Sequence, residues 1–475
     1  MLADTAGGEL SSVRLLDLVR RGAFRLHAEG VRRGGFVAVD TTSLTWREVA
    51  IGYLSVVWLG AAAVLTAGEV SERSARELAD VSVLVRGAGR RSAGPAWLCV
   101  EELIAAGGHF GAPLAEPDDL LDIVFTSGTT GSPKPVASRH TQWTGLVRPE
   151  ILASQVRRVV AHTGIPVGVS GGLHGVLLHH LARGVTSRCA PTAAALAASC
   201  RDHPADELHL TPHAASGVAR VVAPREPWAR RVVIIRVVGG PVPEAVAQAL
   251  AERFTRARVV SVYALTEGGA ALCVKVVGGG HRDSVGRPVA GTEVRVLDAD
   301  GRELPAGEVG ELAVRASGTA PLAYFRDESM NRDWFPGGWA RSGDLGFVDP
   351  GGEVRLVGRV KELIFLRGGR LPPEYVEEIL FRRIPEEVEF AVAGVPTAGG
   401  WDRIAVFLRG SDSSPEIGEA KRRLADMTGP FRPQIVRVVP EIPRAPFGKP
   451  LRRVLTQDLV TSVDQVTRRP TADSP

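Results

Sequence analysis

The segment Asp122-Ile-Val-Phe-Thr-Ser-Gly-Thr-Thr-Gly-Ser-Pro-Lys-Pro-Val136 runs an apolar, β-branched strand straight into a loop with two glycines, five hydroxyl side chains and one lysine. Hydroxyls and unpaired backbone N–H groups of a glycine-rich turn form a concave donor surface for phosphate oxygens. Lys134 would add a charge-assisted contact. The spacing is not that of a Walker A loop, because Pro133 and Pro135 flank Lys134 where that motif needs Gly before and Ser or Thr after. A plain surface turn is the other reading, although seven successive residues of this kind weigh against it. Lysine usage adds a hint. Of 57 basic residues only five are lysine: Lys134, Lys275, Lys361, Lys421 and Lys449. Where any cation suffices the chain uses Arg, so a retained Lys marks a place for a compact ammonium on a flexible stem. For any single lysine, compositional bias is the plainer explanation.

Five further segments carry candidate chemistry: Val238-Gly-Gly-Pro-Val-Pro243, Tyr263-Ala-Leu-Thr-Glu267, Arg341-Ser-Gly-Asp344, Gly358-Arg-Val-Lys361 followed by Arg367-Gly-Gly-Arg370, and Pro446-Phe-Gly-Lys449. Together with the first loop, in this order across Leu120–Arg453, they resemble the adenylate-forming superfamily of acyl-CoA synthetases, stand-alone adenylation domains and firefly-type luciferases. The resemblance implies that Thr126, Ser127, Gly128, Thr129, Thr130, Gly131 and Lys134 cradle the phosphates of ATP, and that Gly239, Gly240 and Tyr263 lie against adenine. It implies Asp344 on the ribose diol, Arg359 on ribose or phosphate, Lys361 as a hinge and Lys449 as the catalytic lysine. Thr266 would meet the α-phosphate and Glu267 would hold Mg²⁺.

The residue types suit those tasks. A carboxylate accepts two hydrogen bonds from a vicinal diol, and a hard oxygen ligand suits Mg²⁺ on phosphates. An amine approaching the α-phosphate stabilises charge that develops there. Taken singly, Tyr263 also reads as a strand-end core aromatic, Glu267 as a solvated loop carboxylate and Asp344 as the cap of its own turn. That three of five lysines fall on these motifs is independent support. The sequence departs from the family pattern at Pro135, Ala264, Ser342 and Tyr375, and Gly30–Gly68 looks like a compressed first subdomain.

The acyl pocket is expected along Gly164–Gly175, Val237–Gly240 and Ala264–Gly269, with Ser170, Gly171, His174 and Gly268 as candidate lining residues. His174 reads either as a substrate contact or as a satisfied structural histidine. The stretch Gly164–Gly175 has no carboxylate to pair an α-ammonium, which argues against an ordinary α-amino acid and leaves an aromatic or medium acyl carboxylate. The implied reaction is attack of the carboxylate on the α-phosphate, loss of pyrophosphate and formation of an acyl-adenylate. Transfer follows, to a thiol of CoA or of a carrier protein's phosphopantetheine arm. Transfer to an amine, hydroxyl or nitrogen oxyanion is the first alternative. A nucleotide-binding homologue without turnover is the second, and retention of Glu267, Asp344 and Lys449 counts against it.

These residues need elements to position them. Short apolar runs at Phe36–Val39, Val81–Val85, Ile123–Thr126, Val232–Val238, Val259–Tyr263 and Val294–Leu297 predict strands, mostly of parallel sheets buried on both faces. A helix is expected over Pro243–Arg256, with Val246, Leu250 and Phe254 on one face. From Gly291 to Val357 short strands with Gly/Pro turns predict an antiparallel, barrel-like segment. Beyond Lys361 helices near Glu374–Arg382 and Glu416–Met427, strands near Val388–Ala393, Ile404–Leu408 and Ile435–Val439, and a frayed tail over Asp464–Pro475 are expected. The fold class is therefore α/β: a large N-terminal domain of stacked α/β sheets over 1–358 with a small barrel-like β segment, a hinge at 359–361, and a small mobile α+β C-terminal domain over 362–475.

Composition sets the outer bounds. With 475 residues, 44% hydrophobic and 23% charged, the chain is an ordinary globular protein that needs no disulfide or metal staple. Its net charge of +4 is spread without a basic block, which speaks against nucleic-acid binding. Four cysteines without CxxC spacing, and Arg14 and Arg20 interrupting the first apolar run, point to a reduced, cytoplasmic setting without a signal peptide. Ile51–Gly68 is uncharged and is weighed as a membrane span, but glycines at 52, 60 and 68 favour a buried helix–strand unit and no membrane partner.

Overall fold

Thr45 and Glu48 start the helix Trp46–Trp58: Glu48 N–H donates to the Thr45 hydroxyl and Thr45 N–H donates to Glu48 Oε2 at 2.7 Å. This reciprocal capping satisfies two backbone donors that the first turn cannot pair. Gly60, at φ +67°, turns the chain into the wholly buried strand Ala62–Thr66. The uncharged stretch at Ile51 is thus a helix, a glycine turn and a strand. Among the described residues no helix is long and apolar enough to cross a membrane.

The computed structural model describes the chain except residues 5–7, 68, 79–80, 88–95, 127–133, 145–158, 241, 270, 278–283, 317–321, 368, 382, 386, 446–448 and 468–475. Ser127, Gly128, Thr129, Thr130 and Gly131 of the phosphate-loop motif, and Pro446–Gly448 of the last motif, lie outside the described residues.

Two large sheets build the N-terminal part. In the seven-stranded sheet, Phe36–Asp40, Ala62–Thr66 and Leu120–Thr126 run parallel as neighbours. Leu120–Thr126 then pairs antiparallel with Lys134–Arg139, so Thr126 faces Lys134 across the ladder and the two ends of the loop motif are fixed. The thirteen-stranded sheet has a parallel half running through Val160–Thr163, Glu207–Leu210, Ile234–Val238 and Arg258–Ala264. It becomes antiparallel where Arg258–Ala264 meets Ala271–Val276. The short strands expected after Gly291 are antiparallel and extend this same sheet, ending in the order Val354–Arg359, Ala340–Val348, Gly310–Ala316 and Thr292–Leu297. The helix expected over Pro243–Arg256 spans Glu244–Arg253 and buries Val246 and Leu250.

After Lys361, Phe390–Pro396, Asp402–Arg409 and Ile435–Val439 form a three-stranded sheet. The helices Pro373–Phe381 and Pro415–Ala425 cover it, with Val376, Leu380, Val392, Val406 and Leu424 in a core of their own. The tail differs from expectation at its start, because the last helix runs Arg452–Thr467 and takes in Asp464. The fold is mixed α/β, with a large N-terminal domain and a smaller C-terminal one.

Candidate active site

Strand register alone brings the first pair together. Ala340–Val348 and Val354–Arg359 are antiparallel neighbours, and their ladder sets Asp344 opposite Arg359. Arg359 Nε lies 3.0 Å from Asp344 Oδ1, while Tyr263 Oη, from the end of the strand Arg258–Ala264 farther along the same sheet, donates to Asp344 Oδ2 at 2.8 Å. Asp344 is 6% exposed. Burial, and then the Asp344 charge, push the Tyr263 phenol well above its ordinary pKa, so it stays a donor. The turn behind Asp344 is held rigidly. Asp344 N–H donates to Ser342 Oγ at 3.0 Å, Ser342 Oγ donates to the Leu312 carbonyl at 2.7 Å, and Glu311 takes Arg341 Nε at 2.9 Å and Gly343 N–H at 3.1 Å. Gly343 sits at φ +69°, a conformation that favours glycine.

The second group lies on the other wall. Lys134 Nζ is 4.1 Å from the Trp334 ring centroid and 5.1 Å from that of Tyr324. Tyr324 Oη donates to Glu267 Oε1 at 2.9 Å. Burial lowers the Lys134 pKa; Lys361 adds to that effect, whereas Glu267 and Asp327 oppose it. A cleft of about 270 Å³ is lined by Arg359 of the first group and Trp334 of the second, with Gly343 and Lys361 among others. Of the remaining nucleotide candidates, Gly239 has φ +101°, and the Thr266 carbonyl accepts from Gly269 N–H at 3.1 Å within the turn that carries Glu267. A Cβ at Gly240 would sit 3.4 Å from Pro212, and one at Gly268 would sit 3.2 Å from Leu272.

Lys449 reaches this neighbourhood from the C-terminal domain. Its Nζ donates to Glu362 Oε1 at 2.7 Å. Burial and the nearby Arg359 charge lower its pKa, and Glu362 and Glu374 oppose them. Arg359, bonded to Asp344, is close enough to Lys449 to act on its charge.

The acyl-pocket candidates are tied into the sheet. His174 Nδ1 is 3.0 Å from Ser170 Oγ and its Nε2 is 2.7 Å from Asp122 Oδ2, with the Trp143 ring stacked on the imidazole at 3.8 Å. Asp122 also accepts from Tyr53 Oη at 2.8 Å and Ser138 Oγ at 2.5 Å. Burial alone would raise the Asp122 pKa, but His174, Ser138 and Tyr53 hold it below the usual carboxylate range. Gly171 lies in the short helix Ser170–Gly172, which runs directly into a π-helical turn over Leu173–Leu178. A Cβ at the neighbouring Gly172 would overlap the Pro166 carbonyl oxygen at 1.9 Å.

Sequence reasoning missed Tyr324, Trp334, Glu362 and Arg452. Glu362 directly follows Lys361, so its position in the hinge motif was a usable signal. Tyr324 and Trp334 carry none, since nothing local marks an aromatic that will flank a lysine 190 or more residues away.

Residues 3–322 match the family model described as AMP-binding enzyme. The chain belongs to the AMP-binding enzyme family. It is an acyl-adenylate-forming ligase. It is 27% identical to the "4-coumarate--CoA ligase-like 9" of Oryza sativa subsp. japonica, over 93% of this chain and 86% of that protein. It is 34% identical to a long-chain-fatty-acid–CoA ligase of Yersinia pestis over 47% of this chain and 40% of that protein. Its fold matches that of the anthranilate CoA ligase AuaEII in complex with anthranoyl-AMP, with a TM-score of 0.81 at 20% identity, covering 98% of this chain and 94% of that one.

Proposed function

We propose that this ligase uses ATP and Mg²⁺ to activate an aromatic or medium-chain carboxylate, rather than an ordinary α-amino acid, and passes the acyl group to the thiol of CoA. The observation that carries the reading is a cleft lined by Arg359, which pairs with Asp344, and by Trp334, which flanks Lys134, with Lys361 also in its lining. Asp344 would grip the ribose, with Tyr263 fixed beside it. Lys134 and the loop motif before it would take the phosphates. A carboxylate oxygen of the acid then attacks the α-phosphorus, the bond to the bridging oxygen breaks and pyrophosphate leaves. Arg359 and Lys449 counter the negative charge that grows on the α-phosphate oxygens.

Among the described residues no cluster of three or more His, Cys, Asp or Glu side chains could hold a metal. An Mg²⁺ delivered on nucleotide phosphates needs only one or two carboxylates. Glu267, which accepts from Tyr324 beside Lys134, would meet that need. The hinge reading places 1–358 and 362–475 on either side of residues 359–361. Arg359 is the last residue of its strand and stays on Asp344, whereas Lys361 is exposed and outside any strand. Rotation there would rebuild one closed site for the second step.

Support for CoA as acceptor comes from the names of the rice and Yersinia relatives, and support for an aromatic acid from the first of them. The test is pyrophosphate exchange across a carboxylate panel, with product masses taken with and without CoA. Exchange with an aromatic or medium-chain acid and a thioester mass bear the proposal out. Release of the acyl group only to an amine, or to a carrier protein's arm, replaces the acceptor. ATP binding without exchange for any acid overturns the reading.

A further inference from the structure

The Lys449 ammonium is held by a carboxylate. Glu362 Oε1 takes Nζ at 2.7 Å, and the other oxygen of the same carboxylate takes Arg452 Nη1 at 3.0 Å. Arg452 is 7% exposed and fixed on three more sides: its Nε donates to the Val392 carbonyl at 2.8 Å, and its Nη2 reaches Glu374 at 3.1 Å and Glu377 at 3.0 Å. A carboxylate braced this way cannot swing freely, because moving it would leave a buried guanidinium partly uncompensated. Lys449, Glu362, Arg452, Glu374 and Glu377 all lie beyond Lys361, so the set travels as one body with the smaller domain. Arg359 lies on the other side of that residue, bonded to Asp344.

We propose that Glu362 is a positioning residue for adenylation: braced by Arg452, it carries the Lys449 ammonium in a fixed orientation and releases it to the α-phosphate oxygens when nucleotide fills the cleft. The inference rests on the reading of Lys449 as the adenylation lysine. Its electrostatic logic is simple. Lys449 and Arg359 are like charges near enough to act on each other at a partly exposed site, and an anion beside them relieves that repulsion. Glu362 and Glu374 serve while the cleft holds no nucleotide, and the triphosphate serves when it does. Glu362 also keeps Lys449 charged against burial and Arg359, the two effects that lower its pKa.

The experiment is a comparison of full-length Glu362→Gln, Glu362→Asp and Lys449→Ala, alone and combined, by single-turnover pyrophosphate release over pH 6.5–9.5, with ATP binding measured separately. Glu362→Gln should lower kcat roughly 10- to 100-fold with the ATP KM within about threefold, since misplacing a reacting group by about 1 Å costs up to 100-fold. It should also move the alkaline limb of the kcat profile to lower pH. Glu362→Asp keeps the charge but shortens the reach, so it should lower kcat while leaving that limb in place; this variant decides the matter should the Gln variant fail to fold. In the Lys449→Ala background the Gln change should cost almost nothing further, as expected of residues acting as one unit. Wild-type kcat and an unmoved limb in Glu362→Gln overturn the proposal, and so does an equal loss with and without Lys449. Undiminished pyrophosphate release by Lys449→Ala overturns the underlying reading of Lys449 instead.

Discussion

Two lysines of the candidate site are held in opposite ways. Lys134 rests against the rings of Trp334 and Tyr324, and Glu267 opposes the lowering of its pKa by burial. Lys449 sits in a 2.7 Å ion pair with Glu362. An aromatic face attracts a cation weakly and from one side, leaving its N–H donors free for an incoming phosphate. A carboxylate takes up a donor and must be displaced before that donor can serve elsewhere. The first arrangement suits a group that binds the ground state. The second suits one delivered at a particular step, and the difference separates binding from rate.

That contrast is open to direct attack. Lys449→Ala should show the largest effect, a loss of roughly 100- to 1,000-fold in the rate of pyrophosphate release with ATP affinity nearly intact, as for removal of one transition-state donor. A comparable loss of affinity would erase the distinction between the two lysines. Asp344→Asn comes next. It keeps the shape but removes the charge that Tyr263 and Arg359 share, and hydrogen bonds to a charged group contribute about 1.5–3 kcal/mol. The ATP KM should therefore rise by one to two orders of magnitude in steady-state kinetics. Trp334→Ala should raise the ATP KM only several-fold, in line with a cation–π contribution of about 0.5–1 kcal/mol at a partly exposed site. An effect on kcat as large as that of Lys449→Ala would mean that Lys134, too, acts in the transition state.

The smallest effect near neutrality is on the N-terminal domain that carries Lys134. Burial lowers His162 and His179 to about 4. Both are neutral in the folded chain between that value and the ordinary 6.5, where the unfolded chain binds the extra protons. Stability is therefore full above pH 6.5 and falls as the pH drops toward 4, by up to about 1.4 kcal/mol per pH unit for each histidine. Thermal melts across pH 7 to 4.5 check this, and a flat profile would remove those histidines from the account.

Much of the site was legible because its residues come in short motifs whose neighbours in sequence are neighbours in space. Asp344 was found from Arg341-Ser-Gly-Asp344, and the structure places its carboxylate between Tyr263 and Arg359. Gly60 announced the break between helix and strand, because a turn at positive φ favours glycine. His174 shows where that stops. Its spacing left substrate contact and structural service both open, and only the fold engages both ring nitrogens, one with Ser170 and one with Asp122 on a strand 52 residues earlier.

By itself the sequence determined the class of fold, the order of the motifs and the chemical type of the groups those motifs carry, since these depend on local periodicity and on side-chain identity. Tertiary structure alone decided what each group leans on: Trp334 and Tyr324 beneath Lys134, Glu362 and behind it Arg452 against Lys449. Such partners are chosen by strand register and domain packing, which act over many tens of residues and leave no periodic trace along the chain.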